Sequence, residues 1–327
     1  MALVVTGASG FLGRQITRAA LQRGFDVRAL SRRGWSPGAG VQGVPCDVMD
    51  EDGLRSAMRG ATHVVHAAGL AHVFGHAKHA ADRFASVNAD GTARVVRAAV
   101  NAGVQHVVHV SSVSVYGPHD GAVCSEDSPC HPIGPYATSK LDAEAMARAA
   151  VNDTPTRLTI LRLATLYGEE DPGNVARLMR AIDRGRFIWI GDGSTRKSLL
   201  HRDDAARACI VALGRSNPPA SALFNVSAPA VAMAQVVDGL ADALGRRVPS
   251  WRVPASAALR LSGFVGGTLR VARAATVHGT VRKWLTDDVY DGSRFDQAFD
   301  FHTEVALADG IAREVAWYRK AATAGAP

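Results

Sequence analysis

Hydrophobic positions along this chain recur with two alternating periods. Short runs of consecutive β-branched and aliphatic residues give way to stretches whose apolar residues fall three and four apart, the patterns of buried strand and amphipathic helix. The run that opens at Ala2 predicts the first strand, and Arg14 to Gly24, with Ile16, Ala19, Ala20 and Leu21 along one face, predicts the first helix. Asp26 to Leu30 and Val44 to Asp47 predict the next strands, Glu51 to Arg59 a helix, and His63 to Gly69 a fourth strand running into small residues. A long helix from Ala81 to Ala102 and a fifth strand from Gln105 to Val110, ending in Ser111 and Ser112, follow.

From Val113 the rhythm breaks. Gly117, Pro118, Gly121, Pro129, Pro132, Gly134 and Pro135 predict a long loop ahead of a helix from Tyr136 to Ala150. Leu158 to Leu163 predicts a sixth strand. Helices at 174–184, 203–213 and 231–244 then alternate with short strands at 187–190 and 223–226. Strand and helix alternating at this pace imply right-handed crossovers, so the expected class is α/β: a doubly wound parallel sheet of the Rossmann type with a smaller C-terminal substrate lobe. The longest apolar tract, Val253 to Val277, is interrupted by Arg260, Arg270 and Arg273. It reads as amphipathic helix and not as a membrane span.

Between the first strand and helix lies Thr6-Gly7-Ala8-Ser9-Gly10-Phe11-Leu12-Gly13, three glycines at a three-residue spacing. Gly7 lets the chain turn out of the strand, Gly10 clears space where a pyrophosphate meets the backbone, and Gly13 lets the helix lie close on the sheet. The helix N-terminus then faces the anion. Residues 1–168 are therefore expected to form the dinucleotide-binding domain, and 169–327 mainly the substrate lobe, with some later segments returning to the sheet. At the end of the second strand an acid would accept hydrogen bonds from a ribose 2′-hydroxyl, but this chain has Ser31-Arg32-Arg33. Forked guanidinium donors suit a 2′-phosphate, so NADP(H) is favoured, with NAD(H) the alternative.

Composition narrows the partners. The net charge is +7, but the arginines are scattered among acids and aromatic residues make up only 6%, which argues against nucleic acid and for an anionic small molecule. A first strand beginning at Ala2 leaves no room for a secretory leader, so a cytoplasmic location is expected. Cys46, Cys124, Cys130 and Cys209 lack metal-ligand spacing and read as reduced thiols. His66, His72, His76 and His79 straddle a strand end and a loop without supporting carboxylates, so no metal site is expected.

Tyr136 and Lys140 stand four residues apart, which on a helix puts a phenol and an ammonium on one face. The ammonium should favour the phenolate and bring a group that titrates near 10 into useful acid/base range. The pair follows a strand that ends in Ser112, in a chain that opens with a dinucleotide turn.

The glycine-rich turn, Ser112 with Val115-Tyr116-Gly117 behind it, and Tyr136 to Lys140 together resemble the extended short-chain dehydrogenase/reductases, the family of NAD-dependent epimerases and dehydratases. The resemblance covers nearly the whole chain. It implies cofactor contacts from Gly7, Ser9, Gly10, Phe11, Leu12 and Gly13, from Asp47 and Val48 at an adenine-contacting turn, from Ala67 and Ala68 at a strand end, and from Asn88, Leu163 and Leu166. Arg162-Leu163 departs from an Arg-Pro pattern usual at that place. The resemblance further implies that Tyr136 exchanges a proton with the substrate oxygen, Ser112 hydrogen-bonds that oxygen, and Lys140 holds the nicotinamide ribose.

Val113 and Ser114 stand where 4,6-dehydratases of the family carry acids, which leaves epimerisation or keto reduction. Ser114, Asn174, Arg196 and Arg282 are similar to substrate-side positions of the branch that acts on nucleoside-diphosphate sugars. His201 and Asp203 read as structural, with Asp203 capping a helix. Two alternatives stay open: an NADPH-dependent reductase of an apolar ketone of sterol or acyl type, favoured by the late apolar tract, and a non-catalytic dinucleotide-sensing protein. The resemblance also implies a homodimer built on helices 82–102 and 136–150.

Overall fold

The computed structural model describes residues 1–71, 77–214, 221–260 and 284–323, with the side chains of 77–79 left aside. The elements run β1 (Ala2–Thr6), α1 (Phe11–Gln22), β2 (Asp26–Ser31), β3 (Val41–Pro45), α2 (Glu51–Met58), β4 (His63–His66), α3 (Ala77–Phe84), a π-helical turn (Ala85–Asp90), α4 (Gly91–Asn101), β5 (His106–Ser112), α5 (Pro135–Val151), β6 (Arg157–Leu163) and β7 (Thr165–Tyr167). Then come α6 (Asn174–Asp183), β8 (Trp189–Ile190), β9 (Arg196–Lys197), β10 (Leu199–His201), α7 (Arg202–Val211), β11 (Ser221–Val226), β12 (Val231–Ala232), α8 (Met233–Leu244), β13 (Arg252–Val253), α9 (Ser293–Phe299) and α10 (Leu307–Thr323).

Seven strands form one sheet in the order β11-β6-β5-β4-β1-β2-β3. Every pairing in it is parallel. Period-two side-chain geometry explains the unbroken apolar strands, because both faces are covered. Leu3 and Val5 pack with α1 and α7, whereas Val4 between them packs with α2 and α4. Val64 and Val65, then Val107 and Val108, divide between the same two cores. Each such fully buried side chain contributes about 1.5–3 kcal/mol. The sheet reverses direction of winding between β1 and β4, and that crevice is where such folds bind ligands.

Several expectations shift. The third strand starts earlier and ends before Asp47, freeing that residue for a turn. The long helix expected over 81–102 is interrupted by the π turn, which helix propensity does not distinguish from a continuous α-helix even though Ser86, Val87, Asn88 and Asp90 are weak helix formers. The short strands β7, β9, β10, β12 and β13 were invisible as apolar runs because each has three residues or fewer. Most of the tract 253–277 lies outside the described residues, as do Arg270, Arg273, His72 and His76. No helix among the described residues is long and apolar enough to cross a membrane.

Candidate active site

The glycine-rich turn is shaped by three close approaches. Gly7 has φ +69°, and a Cβ there would lie 2.6 Å from Ala68 Cα. A Cβ on Gly13 would lie 2.1 Å from the Gly7 carbonyl oxygen, so α1 could not start where it does with any other residue. At Gly10 an added Cβ meets only the Gly7 oxygen, at 3.2 Å, which leaves its outer side open. Helix α1 begins with no side-chain cap and no acid in its first turn. Its free N–H groups and positive dipole end therefore fit a phosphate.

This turn forms one wall of a cavity of about 260 Å³. Gly7, Ser9, Gly10, Arg32, Asp47, Val48, Ala67 and Ala68 all line it, with Cys46, Gly69 and Arg83 besides. Arg32 and Arg33 are both exposed at the end of β2, but only Arg32 lines the cavity. Phe11 lies under the Arg202 guanidinium, 5.6 Å from its ring centre, and Leu12 is in the core. Burial and the nearby carboxylates of Asp50 and Asp47 push the Cys46 thiol up to about 11, so it stays neutral. All four cysteines are free.

Ser112 closes β5, and the Ser114 backbone N–H donates to its hydroxyl at 3.2 Å. Pro135 starts α5 and delivers Tyr136 into the first turn, where its ring meets Phe84 edge-on at 5.9 Å. Half-buried by area yet densely surrounded, the Tyr136 phenol is pushed up by burial, and its hydrogen bond with Ser112 pulls it partly back. Lys140, one turn on, is only 8% exposed, and its ammonium donates to the Val110 carbonyl at 2.8 Å. It also lies 3.6 Å from where a Cβ on Gly69 would stand, which puts it beside the cavity.

The expected depression of the phenol by Lys140 is therefore not what this arrangement gives. Burial governs both groups: it raises the tyrosine and lowers the lysine to about 8, against a smaller opposing pull from Glu144. Ser112, not Lys140, is the neighbour that eases the phenol.

Asn88 sits in the π turn and is fully occupied. Its amide N–H groups reach the Leu70 carbonyl and the Ser139 hydroxyl, both at 3.0 Å, and its oxygen accepts from the Leu70 N–H at 2.7 Å. It holds the cavity wall and α5 together. Leu163 is buried opposite Ser112 in the β5–β6 register, and Leu166 is half-buried in β7.

The substrate-side residues scatter. The Ser114 hydroxyl is buried without a partner among the described residues. Asn174 is exposed at the start of α6, whose N–H groups are capped by Asp171. Arg196 is exposed and held by Asp287 at 2.8 Å, while Arg282 lies outside the described residues. Strand alternation turns the next residue the other way. Lys197, passed over in the sequence, is buried and donates to the Thr286 carbonyl at 2.7 Å, within 4.0 Å of Asp288. Asp288 also accepts from the Tyr290 hydroxyl at 2.9 Å and faces His119 at 3.4 Å. His201, not Asp203, caps α7: its Nδ1 accepts from the Asp203 N–H at 3.2 Å, leaving the Asp203 carboxylate to pair with Arg313 at 2.6 Å.

Fold and site together define a nucleotide-cofactor enzyme of the extended short-chain dehydrogenase/reductase type. Residues 3–227 match the model of the NAD dependent epimerase/dehydratase family, and the chain belongs to that family. It is 30% identical over 344 residues to UDP-glucose 4-epimerase of Mycolicibacterium smegmatis, covering 98% of this chain and 99% of that one. It is also 30% identical over 261 residues to 2-alkyl-3-oxoalkanoate reductase of Stenotrophomonas maltophilia, covering 75% of this chain and 76% of that one. Among solved structures, MoeE5 in complex with UDP-glucose and NAD superposes with a TM-score of 0.77 at 27% identity, over 98% of this chain and all of that one.

Proposed function

We propose that this protein transfers hydride at C4 of a nucleoside-diphosphate sugar, as a 4-epimerase or 4-ketoreductase. The observation that carries the reading is the Tyr136 phenol beside the Ser112 hydroxyl that eases it, with the Lys140 ammonium one helical turn away beside the dinucleotide cavity. A bound nicotinamide cofactor would supply the hydride acceptor or donor. The uncapped start of α1, the open side of Gly10 and the Asp47 turn would hold it. Tyr136 moves a proton to or from the sugar oxygen, and Ser112 orients that oxygen through its hydroxyl. Burial raises the phenol and keeps it protonated, so it is set to donate to a ketone. In the direction of alcohol oxidation it must first be made basic, a bias that Ser112 and the positive charge of a bound oxidised cofactor would supply.

The sugar-nucleotide class is supported by the UDP-glucose 4-epimerase relative and by MoeE5 with its UDP-glucose. For the cofactor, the exposed cation Arg32 in the cavity wall favours NADP(H), and exchange of a spent cofactor would make the protein a reductase. The solved neighbour carries NAD. A second reading, reduction of an apolar ketone, is favoured by Arg196 being already paired with Asp287 and by the 2-alkyl-3-oxoalkanoate reductase relative.

A thermal-shift panel of UDP-, GDP- and dTDP-sugars with cofactor present separates these readings, because a ligand at about 100 times its Kd stabilises by roughly 2.7 kcal/mol. Stabilisation by one nucleotide series supports the sugar reading. Stabilisation by none of them, with turnover of a 3-oxoacyl compound, replaces it with the second.

The same reading includes a homodimer. On α5, Ala145, Met146 and Ala149 are exposed, beside a surface groove of about 380 Å³ shared with Ala93 and Arg97 of α4. Pairing these helices across a twofold axis would cover them.

A further inference from the structure

His66 is fully buried between the cavity wall and the π turn, and the groups around it fix where its proton sits. The Thr92 hydroxyl is 2.5 Å from the Asn88 carbonyl oxygen, which can only accept, so the single hydroxyl proton of Thr92 points there. Toward His66 Nε2, 2.9 Å away, Thr92 must therefore accept, and Nε2 carries the ring proton. The bare Nδ1 then accepts from the Thr6 hydroxyl at 2.7 Å, and the Thr6 oxygen accepts from the Ala68 N–H at 3.3 Å. The chain has one consistent direction, from Ala68 through Thr6, His66 and Thr92 to Asn88.

Both ends of the chain touch the candidate site. Ala68 is the residue against which Gly7 makes its close turn, and it lines the cavity. Asn88 reaches through its amide to Ser139, whose hydroxyl in turn donates to the Tyr136 carbonyl at 2.8 Å. Thr6, Thr92, Asn88 and Ser139 are each no more than 2% exposed, so water cannot substitute for a missing link. Across the sheet His109 stacks on the imidazole at 5.3 Å, in register with it, which fixes the plane of the ring.

We propose that His66 is a positioning residue: as the neutral Nε2–H tautomer it sets the direction of a buried hydrogen-bond strut that ties the glycine-rich turn to Asn88 and the helix of Tyr136. It acts through Ala68 and Asn88 and touches neither cofactor nor substrate. The inference rests on the cavity being the dinucleotide site.

The test has two arms that fail separately. Protein labelled with ¹⁵N-histidine should show for His66 a pyridine-type Nδ1 and a pyrrole-type Nε2, unchanged between about pH 5 and pH 8. A protonated Nδ1 anywhere in that range overturns the strut, whatever the protein binds. In the second arm NADPH or NADH is titrated into the wild type and into His66→Phe, which keeps a ring but loses both nitrogens. Cofactor Kd should rise about tenfold, and Thr92→Val, which keeps shape and removes the hydroxyl, should do the same should the phenylalanine variant not fold. A Kd within about twofold of wild type in the folded variant overturns the positioning role. Wild type that binds neither cofactor overturns the proposed function and, with it, the positioning role, while the labelled histidine still reports on the strut.

Discussion

Raising the pH should strip the charge from Lys140 long before an ordinary lysine would lose it. Burial brings this ammonium from 10.5 down to about 8, so it is charged at neutral pH and mostly neutral above about pH 9. A cofactor ribose held by the ammonium binds the protonated form, and the sign follows: affinity is full below pH 8 and falls as pH rises through it. Kd should climb by up to about tenfold per pH unit above that point, until the contact is spent. A hydrogen bond to a charged group is worth about 1.5–3 kcal/mol, so the total loss should level off at about 10- to 100-fold.

Few neighbouring groups confuse the measurement. The Tyr136 phenol is raised above its usual range, and Cys46 stays protonated to about 11. His66, down at about 3, is neutral throughout. Glu314 titrates at about 8, so Glu314→Gln is the necessary control background. Cofactor fluorescence titrations from about pH 7 to about pH 10 in wild type and Lys140→Met measure the effect. The methionine variant should bind weakly and with no pH dependence. A wild-type Kd that is flat across the window, or a variant that keeps the slope, would refute the assignment of that contact to Lys140.

Other expectations are as direct. Tyr136→Phe should lower kcat by about 10²- to 10⁴-fold while cofactor titration stays within a factor of about two, and a variant retaining a tenth of the wild-type rate would remove the acid/base role. Arg32→Asp should reverse a preference for NADPH over NADH, each charge-assisted contact being worth about 1.5–3 kcal/mol; equal affinities in the wild type would mean the guanidinium is only solvated. Glu314 has a folded pKa of about 8 against 4.5 unfolded, because burial and the nearby Asp171 disfavour its charge. The stability this confers is full below the unfolded value and is lost as pH rises to about 8, so the stability advantage of Glu314→Gln should grow across that interval by at most about 1.4 kcal/mol per pH unit, seen as a widening gap in Tm. Sedimentation velocity at micromolar concentration should give a dimer, and Met146→Glu a monomer.

What could be read from the sequence was whatever depends on local spacing. The glycines at 7, 10 and 13 have one mechanical solution, and eight of the expected cofactor contacts line a single cavity because they come from strand ends, which a parallel sheet gathers on one side. Tyr136 and Lys140 share a face because helix geometry demands it. Their electrostatics were not readable: the phenol answers to burial and Ser112, and burial is a property of the whole packed site. The substrate side was the least legible. Whether Arg196 or Lys197 turns inward is decided by the β9–β12 pairing and by the positions of Asp287 and Asp288, some ninety residues away. The cap at His201 was misassigned to Asp203 for a related reason: Asp203 is claimed by Arg313 from α10.

The π turn at Ala85–Asp90 carries a consequence for how this chain lines up with others. A π turn holds one residue more than the α-helix it interrupts, and each residue advances an α-helix by about 100°. Deleting a single residue there would leave a smooth helix and move Asn88 away from Leu70 and Ser139. The later positions of α4 would keep their partners on α2 and α5, because the extra residue is taken up within the π turn itself. A gap of one placed here between two related chains therefore marks loss of the bulge that positions Asn88, a change of site architecture with the flanking helices left in place.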